Sequence, residues 1–354
     1  MEDNDFDEDD EFDSPRDAIN MDQLTIQEQL GDTFFYVFHK GELKNGERRL
    51  TVVIKGPADE TDKRQPRMIL DELRLLTNIP KHPNILGFVG VAVRGRQVSF
   101  ASEFAEKGCL RKFLRSVDQQ GNFRNLMTED DDDGFEMVNL GNNSNNSNNE
   151  RSLKSNDPDS IYISDLVAFG YQIANGMKYL AGLSYVHRQL ALRGIYITND
   201  KSIRIGDLGL ARKDEVKHYY RIVHKEMPLP FHTTAPESLE DHKFTEYSDV
   251  WSFGICLYEL FTLAGDPLYQ GVGDILKWIK SGNRMAKPAY CPQEIYDFML
   301  RCWDLKPEKR PKFEECVRFL EQYLEQHAPQ VLGRVRENLQ AASEFQTTLE
   351  QWVQ

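Results

Sequence analysis

The sequence predicts an α+β chain with two lobes, a small antiparallel β lobe containing one helix and a larger, mostly helical lobe. Up to about residue 105, the apolar residues fall in short runs rich in β-branched and aromatic side chains, which favour strands. Beyond about residue 160 they recur at steps of three and four, which is typical of amphipathic helices. A run of strands followed by a run of helices indicates that the sheet and most of the helices form separate parts of the fold. A cleft is expected between the two lobes.

The first lobe is expected to be a small sheet with one helix. FFYVF (34–38) and RLTVVIK (49–55) are predicted strands, with a turn signal at Asn45-Gly46 between them. One helix and two further strands are predicted after them, at RMILDELRLLTNI (67–79), KHPNILGFVGVAV (81–93) and QVSFASEF (97–104).

Residues 116–160 interrupt this pattern. The segment is polar and of low complexity, and it has too little apolar surface to offset the entropy of ordering. It is also longer than a loop in a compact domain normally is. We therefore expect a disordered surface insertion here, and a disordered acidic tail at residues 1–23.

The second lobe is predicted to consist mainly of helices. Ser164 is a candidate N-cap for an amphipathic helix that reaches residue 180. Residues 249–263 are apolar nearly all round, which indicates a central buried helix. The last segment, 327–354, has helical spacing and two interpretations: a helix packed back on the large lobe, or a partner-binding helix.

The net charge of −14 is concentrated in two segments. Residues 1–13 hold nine acids and residues 129–136 hold six, with no base in either, so the rest of the chain is nearly neutral. This acidity argues against nucleic-acid binding, and the acidic runs are either solvated disorder or docking tails for a basic partner. Five scattered cysteines suit a reducing compartment, and no apolar run is long enough for a membrane segment, so we expect a cytoplasmic chain.

Several polar residues are placed for chemistry. Lys55 ends a predicted strand and Glu72 lies on the next helix, so they can form an ion pair that also holds phosphate oxygens; an ordinary surface pair is the alternative. Asp207 directly follows a predicted strand, where its carboxylate suits Mg²⁺ or simply forms a turn. Glu237 and Arg310 can pair to anchor a long loop.

The order of these motifs resembles that of the protein kinase family. The motifs are VVIK (52–55), HR (187–188), DLG (207–209), APE (235–237), SDVWSFG (248–254) and KRPKF (309–313). The resemblance covers residues 24–326, with 24–105 as the N-lobe and 106–326 as the C-lobe. It implies the two-lobed protein kinase fold.

Further residues narrow the resemblance to tyrosine kinases. Tyr219 and Tyr220 lie in the expected activation loop and are candidate phosphosites, and Arg193 resembles the receptor type. The insertion at 116–160 is similar to the split kinase domains of the platelet-derived, vascular and fibroblast growth factor receptor class.

The resemblance also implies roles for individual residues. The nucleotide-binding positions are Gly31, Thr33, Val37, Lys55, Glu72, Ser102, Glu103, Ala105 and Asp207, of which Asp207 is the expected metal ligand. The structural positions are His187, Arg188, Gly209, Glu237, Asp249 and Arg310. The carboxylate of Asp249 needs a partner inside the protein, and Arg188 is the candidate.

The departures from the family pattern fall on the chemistry. Gln189 stands at the position of the catalytic aspartate, and an amide cannot act as a base near neutral pH. Gly194 stands at the position of the Mg²⁺-binding asparagine. Thr33 and Tyr36 replace two glycines of the phosphate loop, where Thr33 adds bulk and Tyr36 can fold into the nucleotide space.

The sequence therefore predicts a pseudokinase, a signalling scaffold or allosteric partner of other signalling proteins such as an active kinase or a receptor. The alternative is an active tyrosine kinase that transfers the ATP γ-phosphate to protein tyrosines with a non-standard catalytic loop, so enzymatic activity is left open. ATP with Mg²⁺ is a possible ligand, and no structural metal is expected. A receptor partner would place the chain at the plasma membrane instead of free in the cytoplasm.

Overall fold

The computed structural model describes residues 18–32, 36–59, 64–94, 97–128, 160–213, 220–221 and 230–352. They form two compact units. The first contains Met1–Phe104 and Ala342–Gln354, and the second contains Ala105–Ala341. Thr33, Tyr219, most of the predicted tail and most of the predicted insertion lie outside the described residues.

The first unit is a five-stranded antiparallel sheet with one helix, as predicted. Its strand order is β1-β2-β3-β5-β4. The elements are β1 (Leu24–Asp32), β2 (Tyr36–Asn45), β3 (Arg48–Pro57), α1 (Arg64–Asn78), β4 (Phe88–Arg94) and β5 (Gln97–Glu103). The turn that joins β2 to β3 is Gly46-Glu47, one residue beyond the predicted Asn45-Gly46, and Gly46 has a φ of 61°, a conformation that glycine adopts without steric cost.

Alternation along the strands gives this sheet two apolar faces. Val52 and Ile54 of β3 pack into a cluster that also contains Leu43 and Leu349. The other face is covered by α1, whose buried Ile69 and Leu73 pack with Val91 and Phe100. Because successive strand side chains point to opposite faces, Lys55 lies on the α1 face, next to Ile54 on the other.

Two predicted boundaries differ from the structure. Residues 18–23, predicted as part of the tail, are ordered: Ala18 pairs with Val91, and the buried Ile19 donates its N–H to the Val91 carbonyl. The predicted insertion also begins too early, because residues 116–128 include the end of a helix and a strand. Leu114 and Val117 are buried at helical spacing, so the helix continues past the point where the composition changes.

The second unit is mostly helical, as predicted. Its helices are α2 (Leu110–Gln120), α3 (Ile163–Gly182), α4 (Pro236–Asp241), α5 (Glu246–Phe261), α6 (Ile275–Lys280), α7 (Gln293–Cys302), α8 (Phe313–His327) and α9 (Pro329–Thr348). Its strands are short: β6 (Phe123–Arg124), β7 (Ile161–Tyr162), β8 (Tyr185–Val186), β9 (Ile195–Ile197), β10 (Ile203–Ile205), β11 (Arg212–Lys213), β12 (Tyr220–Arg221) and β13 (Lys243–Phe244).

The centre of this unit is the buried pair α3 and α5. The prediction of a central helix is confirmed, since every residue of α5 from Ser248 to Phe261 is buried. The two helices approach closely at Gly170, where an added Cβ would lie 2.7 Å from a Leu257 methyl group. Ser164 is not the N-cap of α3; the N-cap is Tyr162, two residues earlier, and the Asp165 carboxylate accepts the Tyr162 N–H at 3.0 Å.

The C-terminal helix α9 contributes to both units. Its buried residues Val331, Leu332 and Val335 belong to the second unit, whereas residues from Ala342 onward cluster with the first. Neither sequence interpretation of the segment 327–354 included this division. Among the described helices, none combines the length and the apolar character needed to cross a membrane.

Candidate active site

A buried ion pair joins β3 to α1. Lys55 Nζ lies 2.6 Å from Glu72 Oε2, and both side chains are buried. The structure thus brings together the two residues that the sequence marked as a candidate ion pair, and the pair is not a surface one. Inside the protein each charge depends on the other, because neither is solvated by water.

Three aromatic rings surround the Lys55 ammonium group. The Tyr36 ring centroid lies 3.9 Å from Nζ, and the centroids of Phe38 and Phe100 each lie 5.7 Å away. Phe38 and Phe100 are the direct cross-strand neighbours of Lys55 on β2 and β5. A cation at these distances is attracted to the ring faces.

Tyr36 was expected near the nucleotide space from the sequence, whereas the two phenylalanines were not. Val37, which was predicted instead, pairs with Gly56 and therefore points to the other face of the sheet. Phe38 lies opposite Lys55 because the hairpin turns at Gly46-Glu47; a two-residue turn at the predicted Asn45-Gly46 would have placed Tyr36 opposite Lys55.

The strand that follows the ion pair ends at two buried polar residues. Ser102 pairs with Val53 on β3 and with Phe88 on β4. Glu103 is bound to Gly87 twice, because its N–H donates to the Gly87 carbonyl at 2.8 Å and its Oε1 accepts the Gly87 N–H at 2.6 Å. The carboxylate is thus used to fix the backbone.

The remaining nucleotide positions have simpler surroundings. Gly31 lies in β1 opposite Phe38, and a Cβ added to it would meet no atom of the described residues within 4 Å. Ala105 is buried at the start of the second unit, and its carbonyl accepts the Gly108 N–H at 2.9 Å.

In the second unit, a buried carboxylate fixes the loop between β8 and β9. Asp249, at the start of α5, accepts the backbone N–H groups of His187 at 2.7 Å and of Arg188 at 2.9 Å. Arg188 has a φ of 73°, a strained conformation for a non-glycine residue that these hydrogen bonds hold in place. Arg188 is therefore a partner of Asp249, through its backbone amide.

Burial shifts the pKa values of both ionisable groups in this network. It raises the pKa of Asp249 to about 7, although the amides of Arg188 and His187 oppose the shift. It lowers the pKa of His187 to about 4, with the nearby Asp207 carboxylate acting in the opposite direction. His187 is therefore neutral at pH 7, and its Nε2 lies 3.2 Å from the Gly206 carbonyl.

Gln189, at the position expected for a catalytic base, is bound to the protein itself. Its Nε2 donates to the Asp207 carbonyl at 2.5 Å, and its backbone N–H points to His187 Nδ1 at 3.4 Å. A side-chain amide in this position donates a hydrogen bond and has no basic site.

The space beside Gly194 is filled by a neighbouring side chain. A Cβ built on Gly194 would lie 2.7 Å from Asp207 Oδ2 and 3.0 Å from Asp207 Cβ. Asp207 itself has a φ of 54° and is half-buried. The Asp207 carboxylate therefore takes the space that an asparagine would need at position 194.

A second anchor lies further along the unit. Arg310 pairs with Glu237 in bidentate fashion, with N–O distances of 2.7 and 2.9 Å, and also donates to the Tyr247 carbonyl. The Arg310 side chain is completely buried, so the planar guanidinium is satisfied by fixed partners. Gly209 accepts a hydrogen bond from Arg212 at 3.0 Å.

The donors available to a magnesium ion are few. Asp207 offers a carboxylate, and Gly194 offers no side chain at the position of the second ligand. In the described part of the chain, no three His, Cys, Asp or Glu side chains are grouped closely enough to hold a metal ion. An ATP-bound ion would therefore have one of the two protein ligands that the resemblance implies.

A five-stranded sheet with a buried lysine–glutamate pair, followed by a helical unit containing the anchored loop 187–194, defines a protein kinase fold. Comparison with known proteins agrees: residues 24–320 match the family model described as protein tyrosine and serine/threonine kinase. The chain belongs to this family, and its domain is a tyrosine kinase domain related to those of receptor tyrosine kinases.

Three relatives illustrate the relationship. The chain is 37% identical to the receptor-like tyrosine-protein kinase kin-15 of Caenorhabditis elegans, over 97% of this chain and 73% of that protein. It is 36% identical to the tyrosine-protein kinase receptor ver-3 of the same organism, over 94% of this chain and 29% of that protein. It is 32% identical to a fibroblast growth factor receptor of Halocynthia roretzi, over 88% of this chain and 40% of that protein. The chain thus spans well under half the length of two of these receptors.

Proposed function

We propose that this tyrosine kinase domain transfers phosphate poorly or not at all, and that it acts as a signalling scaffold or an allosteric partner. The observation that supports this is the use of the catalytic-loop positions for internal contacts. The Gln189 amide binds the Asp207 backbone, and the Asp207 side chain fills the space at Gly194.

The expected loss of rate follows from the missing groups. General base catalysis contributes typically about 10²–10⁴-fold, and Gln189 cannot supply it. Phosphoryl transfer depends largely on positioning and on metal charge, and Gly194 removes one ligand of the second magnesium ion. The two losses act on the same step.

Weak nucleotide binding is expected from the first unit. Lys55 and Asp207 are the residues that would hold the phosphates and the magnesium ion of ATP. Lys55 already lies against the Tyr36 ring at 3.9 Å, so phosphate oxygens would have to displace an attraction worth about 0.5–2 kcal/mol. This corresponds to a penalty of roughly 2- to 30-fold in affinity.

The alternative function is an active tyrosine kinase with altered catalysis. The intact Lys55–Glu72 pair at 2.6 Å favours it, because such a pair is required for phosphate positioning in active kinases. Active members of the family use ATP with Mg²⁺, and Asp207 is the ligand this chain retains.

Nucleotide binding can be tested by thermal unfolding with ATP, with and without Mg²⁺ or Mn²⁺. Binding at a hundred-fold excess over Kd would stabilise the chain by about 2.7 kcal/mol. Tyr36→Gly should bind ATP more tightly than wild type, whereas Tyr36→Phe, which keeps the ring over Lys55, should not. Equal affinities for all three chains would show that Tyr36 does not oppose the nucleotide.

Phosphotransfer is tested by autophosphorylation of the purified chain with Mg²⁺ and ATP. The expected result is a rate at background. A robust rate that is abolished by Asp207→Asn would refute the proposal and establish the alternative. Under the alternative, Gln189→Asp should raise the rate.

Partners and location are part of the same proposal. The chain would act on other signalling proteins, an active kinase or a receptor, and a partner kinase would phosphorylate Tyr219 or Tyr220. A cytoplasmic location, or one at the plasma membrane through a receptor partner, fits the relatives that are named receptors. Co-purification of an active tyrosine kinase with the tagged chain would support this, and phosphate on Tyr219 or Tyr220 should then require that kinase.

A further inference from the structure

The end of the chain is part of the first unit. Leu349 is completely buried in the apolar cluster of the sheet, together with residues such as Leu43 and Val89. Trp352 packs against the same cluster from its partly buried position. One face of the sheet is therefore covered by residues that are far away in the sequence.

Polar contacts hold the same segment. Gln346 is buried, and its Nε2 donates to the Ile85 carbonyl at 2.9 Å and to Glu103 Oε1 at 3.0 Å. Lys81 Nζ donates to the Gln346 carbonyl at 2.7 Å. Asn45 donates to the Gln351 carbonyl at 3.2 Å.

The segment fits closely against the sheet at one point. A Cβ added to Gly87 would lie 2.8 Å from Leu349 Cδ1 and 3.1 Å from Glu103 Oε1. Glu103 Oε1 accepts hydrogen bonds from both the Gly87 N–H and the Gln346 amide. Leu349 and Gln346 thus fit a surface, here called the Gly87 surface, that consists of Lys81, Ile85, Gly87, Val89 and Glu103.

The contacting residues have a regular spacing. Gln346, Leu349 and Trp352 are three positions apart, at the end of α9 and in the helical turn Leu349–Trp352 that follows, so they share one side. Phe345 is 39% exposed, and Thr347 and Thr348 are exposed as well. The segment has the pattern of a helix bound in a groove through a few anchors.

One acceptor of the segment lies beside a cavity. Gln346 Oε1 is buried and has no hydrogen-bond partner among the residues that the structure describes. A cavity of about 250 Å³ lies beside it, lined by residues that include Thr77, His82 and Gly87. The Gln346 acceptor thus lies beside a space large enough to hold water.

We propose that the Gly87 surface is a docking site for a Gln-x-x-Leu-x-x-Trp helix end, and that residues 346–352 of the chain occupy it in cis. The covalent link gives the cis segment a high effective concentration, which keeps the site filled. A segment of the same sequence binds in trans once the cis anchors are weakened. This inference does not depend on whether the domain transfers phosphate.

The test uses a fluorescent peptide of residues 340–354 and full-length chains. Wild type should bind the peptide weakly, because its own segment competes. Leu349→Ala in the chain removes the main cis anchor, and we expect the peptide to bind at least about tenfold more tightly than to wild type. Adding Gly87→Ala to that chain should abolish the gain, because the new methyl group meets the peptide leucine.

Two controls make the test specific. The peptide with Leu349→Ala should fail to bind to any chain, and Phe345→Ala in the chain, at an exposed position, should leave peptide affinity at the wild-type level. Folding of each variant is checked by its thermal transition, and Trp352→Ala replaces Leu349→Ala if the latter does not fold. No gain in affinity for a folded anchor variant, or a gain that persists with Gly87→Ala, would overturn the proposal.

Discussion

Gly194→Ala should destabilise the second unit through a single contact, with the Asp207 side chain. The new methyl group would lie 2.7 Å from Asp207 Oδ2, closer than real Cβ atoms approach, and 3.0 and 3.1 Å from Asp207 Cβ and Cγ, which are tight contacts. The Asp207 backbone cannot easily move away, because the Gln189 amide binds its carbonyl at 2.5 Å. Overpacking of this kind costs about 1–3 kcal/mol.

The cost can be assigned to the contact with a double-mutant cycle. Asp207→Gly removes the three atoms nearest to the new methyl group, and glycine tolerates the φ of 54° at that position. Gly194→Ala should therefore be nearly neutral in the Asp207→Gly background, with an interaction energy of about 1 kcal/mol or more.

Thermal unfolding of the four chains measures this cycle. A cost of about 1 kcal/mol corresponds to a fall of about 2–4 °C in Tm for a domain of about 150–250 residues. If Gly194→Ala lowers Tm equally in both backgrounds, the Asp207 carboxylate does not fill the space at Gly194. The structural basis for the proposed loss of the metal ligand would then be wrong.

Two further predictions concern buried charges. Glu72→Gln breaks the buried pair with Lys55 and should lower the free energy of unfolding, measured with denaturant, by about 3–5 kcal/mol. Glu240→Gln breaks an exposed pair with Lys280 and should lower it by less than about 1 kcal/mol. Equal losses would contradict the burial of the Lys55–Glu72 pair. The pKa of His187 is lowered to about 4 by burial, so the stability from its neutral form is present above pH 6.5 and is lost as the pH falls towards 4. Between pH 7 and pH 5, His187→Gln should lose about 2 kcal/mol less than wild type, and an equal loss in both chains would contradict a buried, neutral His187. Comparison with wild type cancels the opposite contribution of Asp249, whose pKa is raised to about 7.

The fold could be predicted from the sequence because apolar residues repeat differently in the two units. They alternate along the strands of the first unit and recur every three or four residues in the helices of the second. The β2–β3 hairpin and the buried α5 follow from alternation and from an all-round apolar run. Boundaries were less accurate, since Ile19 is buried within a segment whose average composition is acidic, and Val117 is buried at the edge of a polar insertion. Composition averages over a window, whereas burial is decided by single side chains.

The site was predicted as a set of residues, and its geometry was not. The sequence shows that position 189 is a glutamine and therefore not a base. Only the structure shows that the Gln189 side-chain amide binds the Asp207 carbonyl. The Asp207–Gly194 contact depends on backbone angles that no local pattern encodes. Docking of Leu349 on Gly87 is a contact between distant parts of the chain, and amphipathic spacing alone does not identify its partner surface.

The anchors of the catalytic loop explain why the fold survives without the catalytic groups. Asp249 holds the loop through the backbone amides of His187 and Arg188, and those amides are present whatever side chain follows them. A glutamine at position 189 removes the base and leaves both hydrogen bonds in place. In this chain the backbone amides hold the loop in place, whereas its chemistry depends on the side chains at positions 189 and 194, so a change of those side chains leaves both hydrogen bonds to Asp249 intact.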